Sequence, residues 1–422
     1  MRHVIIGNSA AGIRAAETLR SIDSEAEIYI VAEEEVPAYS RCQLPDYLAG
    51  DRSKGELRIR PNDFYTKNNI KTLFGQRVKS VDADNKSIKL ENKKNLSYDK
   101  LLIATGASSF IPPIPGIDTD GVFALRDLED ADRIISKSNE TRRAVIIGAG
   151  FVGLEAAYAL YERGLEVTVV DVMSHILPRQ FDKKAGEILK RDMQGEGIRF
   201  ILGQGVKEIA TPGLLKRIFL KKGKGVILDN GEYLKSELMV VATGTRANVE
   251  LVENTEMEIN KGIPVDEYME TSIQDIYAAG DVAETKDVVT GEKGLTPIWP
   301  NASAQGRVAA HNMAGKMKTY DGLIGMQNSV EFRKVPAIAM GITQVEEDSE
   351  YEVLSEYRPE KNLYKKLVIK GDILHGMILI GDIHQAGIYG ALIKKKADIG
   401  PYKKILLQAD FNYGHILNRT AT

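Results

Sequence analysis

Cysteine is almost absent from this 422-residue chain, where Cys42 stands alone. An intrachain disulfide is therefore impossible, and an iron–sulfur cluster, normally held by about four cysteines, is excluded. Histidine is scarce as well. The six histidines show no HExxH or other metal-ligand spacing, so no metal site is expected. No apolar run approaches the roughly 18 residues needed to cross a bilayer. Neither sign of charge dominates, and a net charge of -3 argues against general nucleic-acid binding. The strand leading into the first glycine turn begins at His3, which leaves no room for a signal peptide, so the cytoplasm is the expected compartment.

Two glycine-rich turns are present, each in a strand–turn–helix setting. The first runs His3-Val4-Ile5-Ile6, then Gly7-Asn8-Ser9-Ala10-Ala11-Gly12, then a helical stretch from Ile13 to Leu19. The second runs Ala144-Val145-Ile146-Ile147, then Gly148-Ala149-Gly150-Phe151-Val152-Gly153, then Leu154 to Tyr161. A pyrophosphate needs backbone N–H groups and a helix N-terminus aimed at it. Glycines allow the tight turn, the close approach and the helix–strand packing. After the second turn, the β-rich run Glu166–Val170 ends at Asp171. A carboxylate there would accept hydrogen bonds from adenosine ribose hydroxyls and repel a 2′-phosphate, favouring NADH over NADPH. In the first turn Ser9 replaces the middle glycine, and a residue that small still permits close approach. Its second strand, Ile28–Val31, is followed by Glu33, the expected ribose ligand, with Glu34 as a one-residue alternative.

A chain of this length suits two or three domains. The first turn's domain closes at Ala104-Thr105-Gly106, and a proline-rich link follows at Ile111–Gly116. Ala242-Thr243-Gly244 echoes the earlier ending. The expected fold class is α/β, with two Rossmann-like dinucleotide-binding domains, one inserted in the other, plus a C-terminal α+β domain. The expected ranges are 1–113 with 245–322, then 114–244, then 323–422. The run Asp275–Asp281 reads as a short strand ending in a carboxylate. Trp299–Ala302 leads into a helix expected from Ser303 to Ala314. Two dinucleotides held face to face in one chain suggest electron transfer between them.

With these motifs in hand, the chain resembles the FAD-dependent pyridine-nucleotide oxidoreductases of the disulfide-reductase superfamily, over essentially its full length. The resemblance rests on the first turn, Ala104-Thr105-Gly106, Gly148–Gly153 with Leu154-Glu155, and Ala278-Ala279-Gly280-Asp281, in that order. It implies FAD on the first turn (Gly7, Ser9, Ala10, Ala11, Gly12) with Glu33, and NAD(H) on the inserted domain (Gly148, Gly150, Gly153, Asp171, Gly244). Asp281, beside Gly280, would hold the ribityl hydroxyls. Thr105 and Gly106 would line the path of FAD, with Arg41, Val78 and Trp299 as further cofactor-binding residues. Glu155 would sit near the nicotinamide and flavin rings as a catalytic residue. Within the superfamily, Tyr39–Leu44 through Leu48-Ala49-Gly50, with Leu379–Asp382 and Gly387–Ile393, look most like the nitrite-reductase flavoprotein and rubredoxin-reductase branch. The haem and cluster ligands that reduce nitrite are absent. Relatives that serve ferredoxin often carry a lysine where this chain has Asp46.

The expected activity is hydride transfer from NADH to FAD, then electron delivery to a small iron–sulfur carrier such as ferredoxin or rubredoxin. Such carriers are usually acidic, and Lys394-Lys395-Lys396 with Lys403-Lys404 could steer one in. An alternative uses Cys42. Its spacing to Gly50 resembles the NADH oxidases and CoA-disulfide reductases, in which one cysteine faces the flavin; a helix start and nearby Arg41 would stabilise the Cys42 thiolate here. The acceptor would then be oxygen, peroxide, CoA disulfide or polysulfide. A third reading is an NADH-responsive interaction flavoprotein similar to apoptosis-inducing factor. A homodimer through the C-terminal domain is expected from the relatives.

Overall fold

The apolar runs ending at Ile6 and Ile147 become the middle strands of two parallel sheets, buried on both faces as such strands are when helices cover them. The computed structural model describes residues 1–210, 223–332, 335–346 and 349–417. They divide into two units: unit 1 comprises 1–42, 54–108 and 245–325, and unit 2 comprises 43–53, 109–244 and 326–422. Helices are numbered in chain order as α1 (Ala10–Ile22), α2 (Leu44–Ala49), α3 (Phe64–Lys67), α4 (Leu128–Ser138), α5 (Phe151–Glu162), α6 (Lys183–Glu196), α7 (Trp299–Met313) and α8 (Ala386–Lys395).

Unit 1 is built on five parallel strands in the spatial order Ile276–Ala278, Lys100–Ile103, Arg2–Ile6, Glu27–Val31, Ile70–Leu73. Its core takes in Val4, Ile5, Ile28, Ile30, Leu101 and Leu102, all fully buried. Helix α1 crosses α7 at Gly306, where a Cβ would lie 2.2 Å from the Ala11 carbonyl oxygen, so only glycine lets the two backbones meet. Helix α7 begins at Trp299, four residues before the expected start at Ser303. Pro300 does not delay it, because a first-turn residue needs no N–H donor.

Unit 2 repeats the plan, with five parallel strands in the order Arg199–Leu202, Glu166–Asp171, Arg143–Ile147, Leu238–Val241, Val122–Phe123. Each sheet also carries a three-stranded antiparallel excursion at the same point in its strand sequence. These are Val78–Asp82, Ser87–Leu90 and Asn95–Ser97 in unit 1, and Val206–Ala210, Gly225–Leu228 and Tyr233–Lys235 in unit 2. The fold is thus two Rossmann-like α/β halves. Unit 2 also holds a C-terminal antiparallel sheet, in the order Gln327–Phe332, Val335–Gly341, Ile373–Ile380, Leu363–Lys370, Glu352–Arg358, with α8 against it. Asp182 ties this sheet to α6. One carboxylate oxygen accepts from Tyr364 Oη (2.8 Å) and Lys366 Nζ (2.9 Å), and the other caps α6 at the Ala185 amide (3.0 Å).

Candidate functional site

In unit 1 the strands run parallel, so the turns after Ile6, Val31, Ile103 and Ala278 all leave the same edge of the sheet. That edge is where open α/β sheets bind ligands. Gly7 donates to the Val31 carbonyl, and Ala104 donates to the Ile6 carbonyl, each at 2.8 Å. Gly7 has φ +121°, and a Cβ there would lie 2.1 Å from the Ala104 oxygen. A Cβ at Gly12 would lie 2.0 Å from the Gly7 oxygen. Ser9 has an extended backbone (φ −118°, ψ −157°), which any L-residue adopts, so replacing the middle glycine brings no strain. Ala10 and Ala11 open α1, and its first amides have no acceptor within the helix. This cradle and its donors fit a pyrophosphate. Asn8 braces the turn: its amide donates to the Val36 carbonyl (3.3 Å), and its Oδ1 accepts from Tyr65 Oη (2.9 Å).

Past the second strand Glu33 and Glu34 differ. Glu34 accepts from Tyr39 Oη (2.6 Å) and from Arg41. Glu33 is exposed, with Arg77 3.8 Å away, and remains accessible to a ribose. Val78 opens the antiparallel excursion with its side chain buried. Thr105 and Gly106 are held by a residue that sequence reasoning passed over. Asn248 donates from Nδ2 to the Thr105 carbonyl (3.0 Å) and from its backbone to the Gly106 carbonyl (3.0 Å). It also accepts from Thr105 Oγ1 at its own carbonyl (2.8 Å). Its signal in sequence was its place just after Gly244, where the chain turns back toward the first domain. Gly280 has φ +87° and leads into half-buried Asp281. Trp299 opens α7, partly buried against the unit 1 core. Two residues on, Asn301 is buried, and neither side-chain amide atom has a hydrogen-bond partner among the described residues.

Unit 2 builds the same turn. Gly148 donates to the Val170 carbonyl and Ala242 to the Ile147 carbonyl, both at 2.8 Å. Gly148 has φ +114°, and its Cβ would lie 2.3 Å from the Ala242 oxygen, while one at Gly153 would lie 2.0 Å from the Gly148 oxygen. Gly150 is extended and faces open space. The difference is Asp171. One of its carboxylate oxygens accepts from the Ala149 amide inside the turn (2.5 Å), and the other from the Met173 amide (2.7 Å). Exposed Val172 and Met173 follow it. Gly244, at φ +124°, accepts from the Phe110 amide (2.9 Å).

Glu155 lies in the first turns of α5, against which α2 packs. Burial, and then the negative charge of Asp46 on α2, push its carboxyl up to about 7. Asp46 itself pairs with Arg52 at 3.0 Å. The acid Asp46, rather than a cation, is thus the charged neighbour of Glu155. Cys42 is exposed, in the single turn Arg41–Gln43. It lies one residue before the cap of α2, a helix of only 6 residues, and Arg41 is engaged by Glu34. The dipole and cation available to its thiolate are therefore smaller than the sequence suggests. Of the basic tail, Lys394, Lys395, Lys396 and Lys404 are exposed, but Lys403 is neutralised by Glu352 (2.9 Å) and Asp372 (3.1 Å). Among the described residues no group of three or more His, Cys, Asp or Glu is placed to hold a metal ion, and no helix is long and apolar enough to cross a membrane.

Comparison with known proteins identifies the family. Residues 1–306 match the pyridine nucleotide-disulphide oxidoreductase family, and residues 331–397 match the rubredoxin NAD+ reductase C-terminal domain. The chain is 32% identical over 404 residues to the nitrite reductase [NAD(P)H] of Bacillus subtilis (strain 168), covering 95% of this chain and 48% of that protein. The chain thus spans about half the length of that relative. It is 31% identical to the NADH-dependent phenylglyoxylate dehydrogenase subunit epsilon of Aromatoleum evansii, covering 95% of this chain and 93% of that one. Among solved structures, the NAD-dependent persulfide reductase from A. fulgidus superposes with a TM-score of 0.85 at 30% identity, covering 94% of this chain and 77% of that one. The chain belongs to the pyridine nucleotide-disulphide oxidoreductases, enzymes that work with FAD and NAD(H).

Proposed function

We propose that the chain takes reducing equivalents from NADH and, with FAD, passes them to a small iron–sulfur carrier such as ferredoxin or rubredoxin. The observation that carries this reading is the pair of glycine turns, alike in backbone, of which, among the described residues, the second alone is gripped by a carboxylate, Asp171. Unit 1 would hold FAD: the Gly7–Gly12 turn and α1 at the pyrophosphate, Glu33 at the ribose, Asp281 at the ribityl hydroxyls, and Thr105, Gly106, Arg41, Val78 and Trp299 along its length. Unit 2 would hold NADH on Gly148–Gly153. Asp171 would accept from the ribose hydroxyls, and Val172 and Met173 offer no cation to a 2′-phosphate. FAD, when bound, supplies the redox chemistry, accepting two electrons as a hydride and releasing them singly or in pairs. Glu155, titrating near neutrality, can hold or release a proton at its carboxyl.

The match of residues 331–397 to the rubredoxin NAD+ reductase C-terminal domain supports a carrier as acceptor, and exposed Lys394–Lys396 supply positive charge for steering. An anaerobic acceptor panel with NADH tests this, comparing rubredoxin, ferredoxin, CoA disulfide and polysulfide, with oxygen in a separate arm. The carriers should turn over fastest, and their rates should fall as salt rises. Carrier rates no greater than the oxygen rate contradict the proposal.

A second reading is favoured by the exposure of Cys42 and by the likeness to a persulfide reductase. Here the acceptor is small and a thiol does the work. Cys42→Ser with unchanged turnover excludes it. A homodimer is part of the proposal in either case, and a monomer in sedimentation velocity at working concentration contradicts it.

A further inference from the structure

Helix α7 places Gln305 one turn beyond Asn301, each about 1% exposed. A buried amide side chain must be hydrogen-bonded at both ends or it destabilises the fold. Gln305 is bonded at both. Its Oε1 accepts from the Gly280 amide at 2.8 Å, and its Nε2 donates to Thr285 Oγ1 at 3.1 Å.

The Gly280 amide is a special one. The last sheet bond on this strand is made by Ala279 to the Ile103 carbonyl, so Gly280 is the first amide beyond the sheet. Its φ of +87° swings the chain so that Asp281 follows the strand end. A Cβ at Gly280 would lie 3.3 Å from that of Ala11 on α1 and 3.7 Å from that of Ala302 on α7, so the turn is wedged between the two helices. Gln305 cannot draw back, because its neighbour Gly306 is pressed onto the Ala11 carbonyl. The side chain is a fixed strut from α7 to the turn, anchored at its other terminus on Thr285 in the strand Ala283–Lys286.

We infer that Gln305 is the positioning residue for the Gly280–Asp281 turn, and through that turn for the ribityl portion of FAD. The inference rests on the reading of unit 1 as the FAD-binding half. Gln305 acts through the backbone and touches no reacting atom.

The test is FAD binding by deflavinated protein, followed by flavin fluorescence quenching, with the melting temperature of the same apo sample recorded beside it. Gln305→Met keeps the volume and removes both bonds. It should weaken FAD by roughly 10- to 100-fold, the range one to two lost hydrogen-bond equivalents give, with NADH affinity unchanged. Thr285→Val removes only the anchor and should weaken FAD less, while Thr285→Ser should restore wild-type binding. Thr285→Val also keeps the inference testable if Gln305→Met fails to fold. Wild-type protein that takes up no FAD sinks the reading of unit 1 itself. Wild-type protein that binds FAD, beside variants that bind it within about twofold of wild type, overturns the role of Gln305, whether or not their melting temperature has fallen.

Discussion

In unit 1 the Gly7–Gly12 turn hangs from Val31 while Ala104 bonds to Ile6 just before it; in unit 2 the Gly148–Gly153 turn hangs from Val170 while Ala242 bonds to Ile147, through bonds of equal length. The steric demands match as well, since a side chain at either first glycine would enter a carbonyl of the neighbouring strand. The surroundings diverge. The second residue of the unit 1 turn is Asn8, braced through its side chain by Tyr65, whereas Ala149 of unit 2 is braced through its backbone by Asp171. Two residues past the last glycine stand Arg14 in unit 1 and Glu155 in unit 2. In the first strands, buried His3 corresponds to Ala144. Backbone geometry of the kind that fits a pyrophosphate is held constant between the two turns, and the side chains around it are what differ.

Exchanging nothing but a methyl group should separate the halves most sharply. Gly7→Ala should cost more than about 100-fold in FAD affinity and leave NADH affinity intact, and Gly148→Ala should do the reverse, because each adds a clash to a positive φ. Fluorescence titrations with each nucleotide check this, and a variant that loses both ligands equally breaks the comparison.

The His3–Ala144 difference is a stability effect. Burial lowers the His3 imidazole to about 4. Between pH 6.5 and about 4 the unfolded chain therefore binds a proton that the folded chain refuses. Stability present above pH 6.5 is lost as acid is added, by about 3 kcal/mol. His3→Ala should flatten that slope in urea unfolding at pH 7 and pH 4.5, apart from a pH-independent cavity cost. Glu155 works in the opposite sense. Its carboxyl, raised to about 7, keeps a proton in the folded state that the unfolded state has released. Its contribution is full below about pH 4.5 and is lost as pH rises through 7, by at most about 3 kcal/mol. The two slopes oppose each other in the wild type, so Glu155→Gln should steepen the loss of stability toward acid that His3→Ala removes.

Smaller effects sharpen the ligand assignment. Asp171→Asn should weaken NADH by about 10-fold and narrow its advantage over NADPH, both read from initial rates with each nucleotide. Ser9→Gly should leave FAD affinity within about twofold, because the position is already extended and needs no glycine.

Both glycine turns were legible in the sequence because part of the constraint is local: a positive φ at the first glycine and, at the last, the carbonyl of that first glycine within reach favour one residue type. The parallel strands were legible as β-branched runs before those turns. The helix starts were less so. Helix α1 begins at Ala10 and α7 at Trp299, ahead of the expected starts, since the small residues that open α1 are buried without marking an apolar stripe and the first turn of α7 tolerates proline. What could not be read was contact across long sequence distances. Asn248 holds Thr105 from 143 residues away. Asp46 raises Glu155 from a different helix, and Gln305 reaches Gly280 across 25 residues. Such partners carry no local pattern, because any amide or acid at those positions would look like solvated surface.

The most direct test of the account is an anaerobic titration of FAD-loaded protein with NADH, watching the visible flavin band. The account predicts bleaching complete at one equivalent of NADH per FAD, and no bleaching at that level in Gly148→Ala protein that is still yellow. Loaded wild-type protein that stays yellow in excess NADH and NADPH would contradict it.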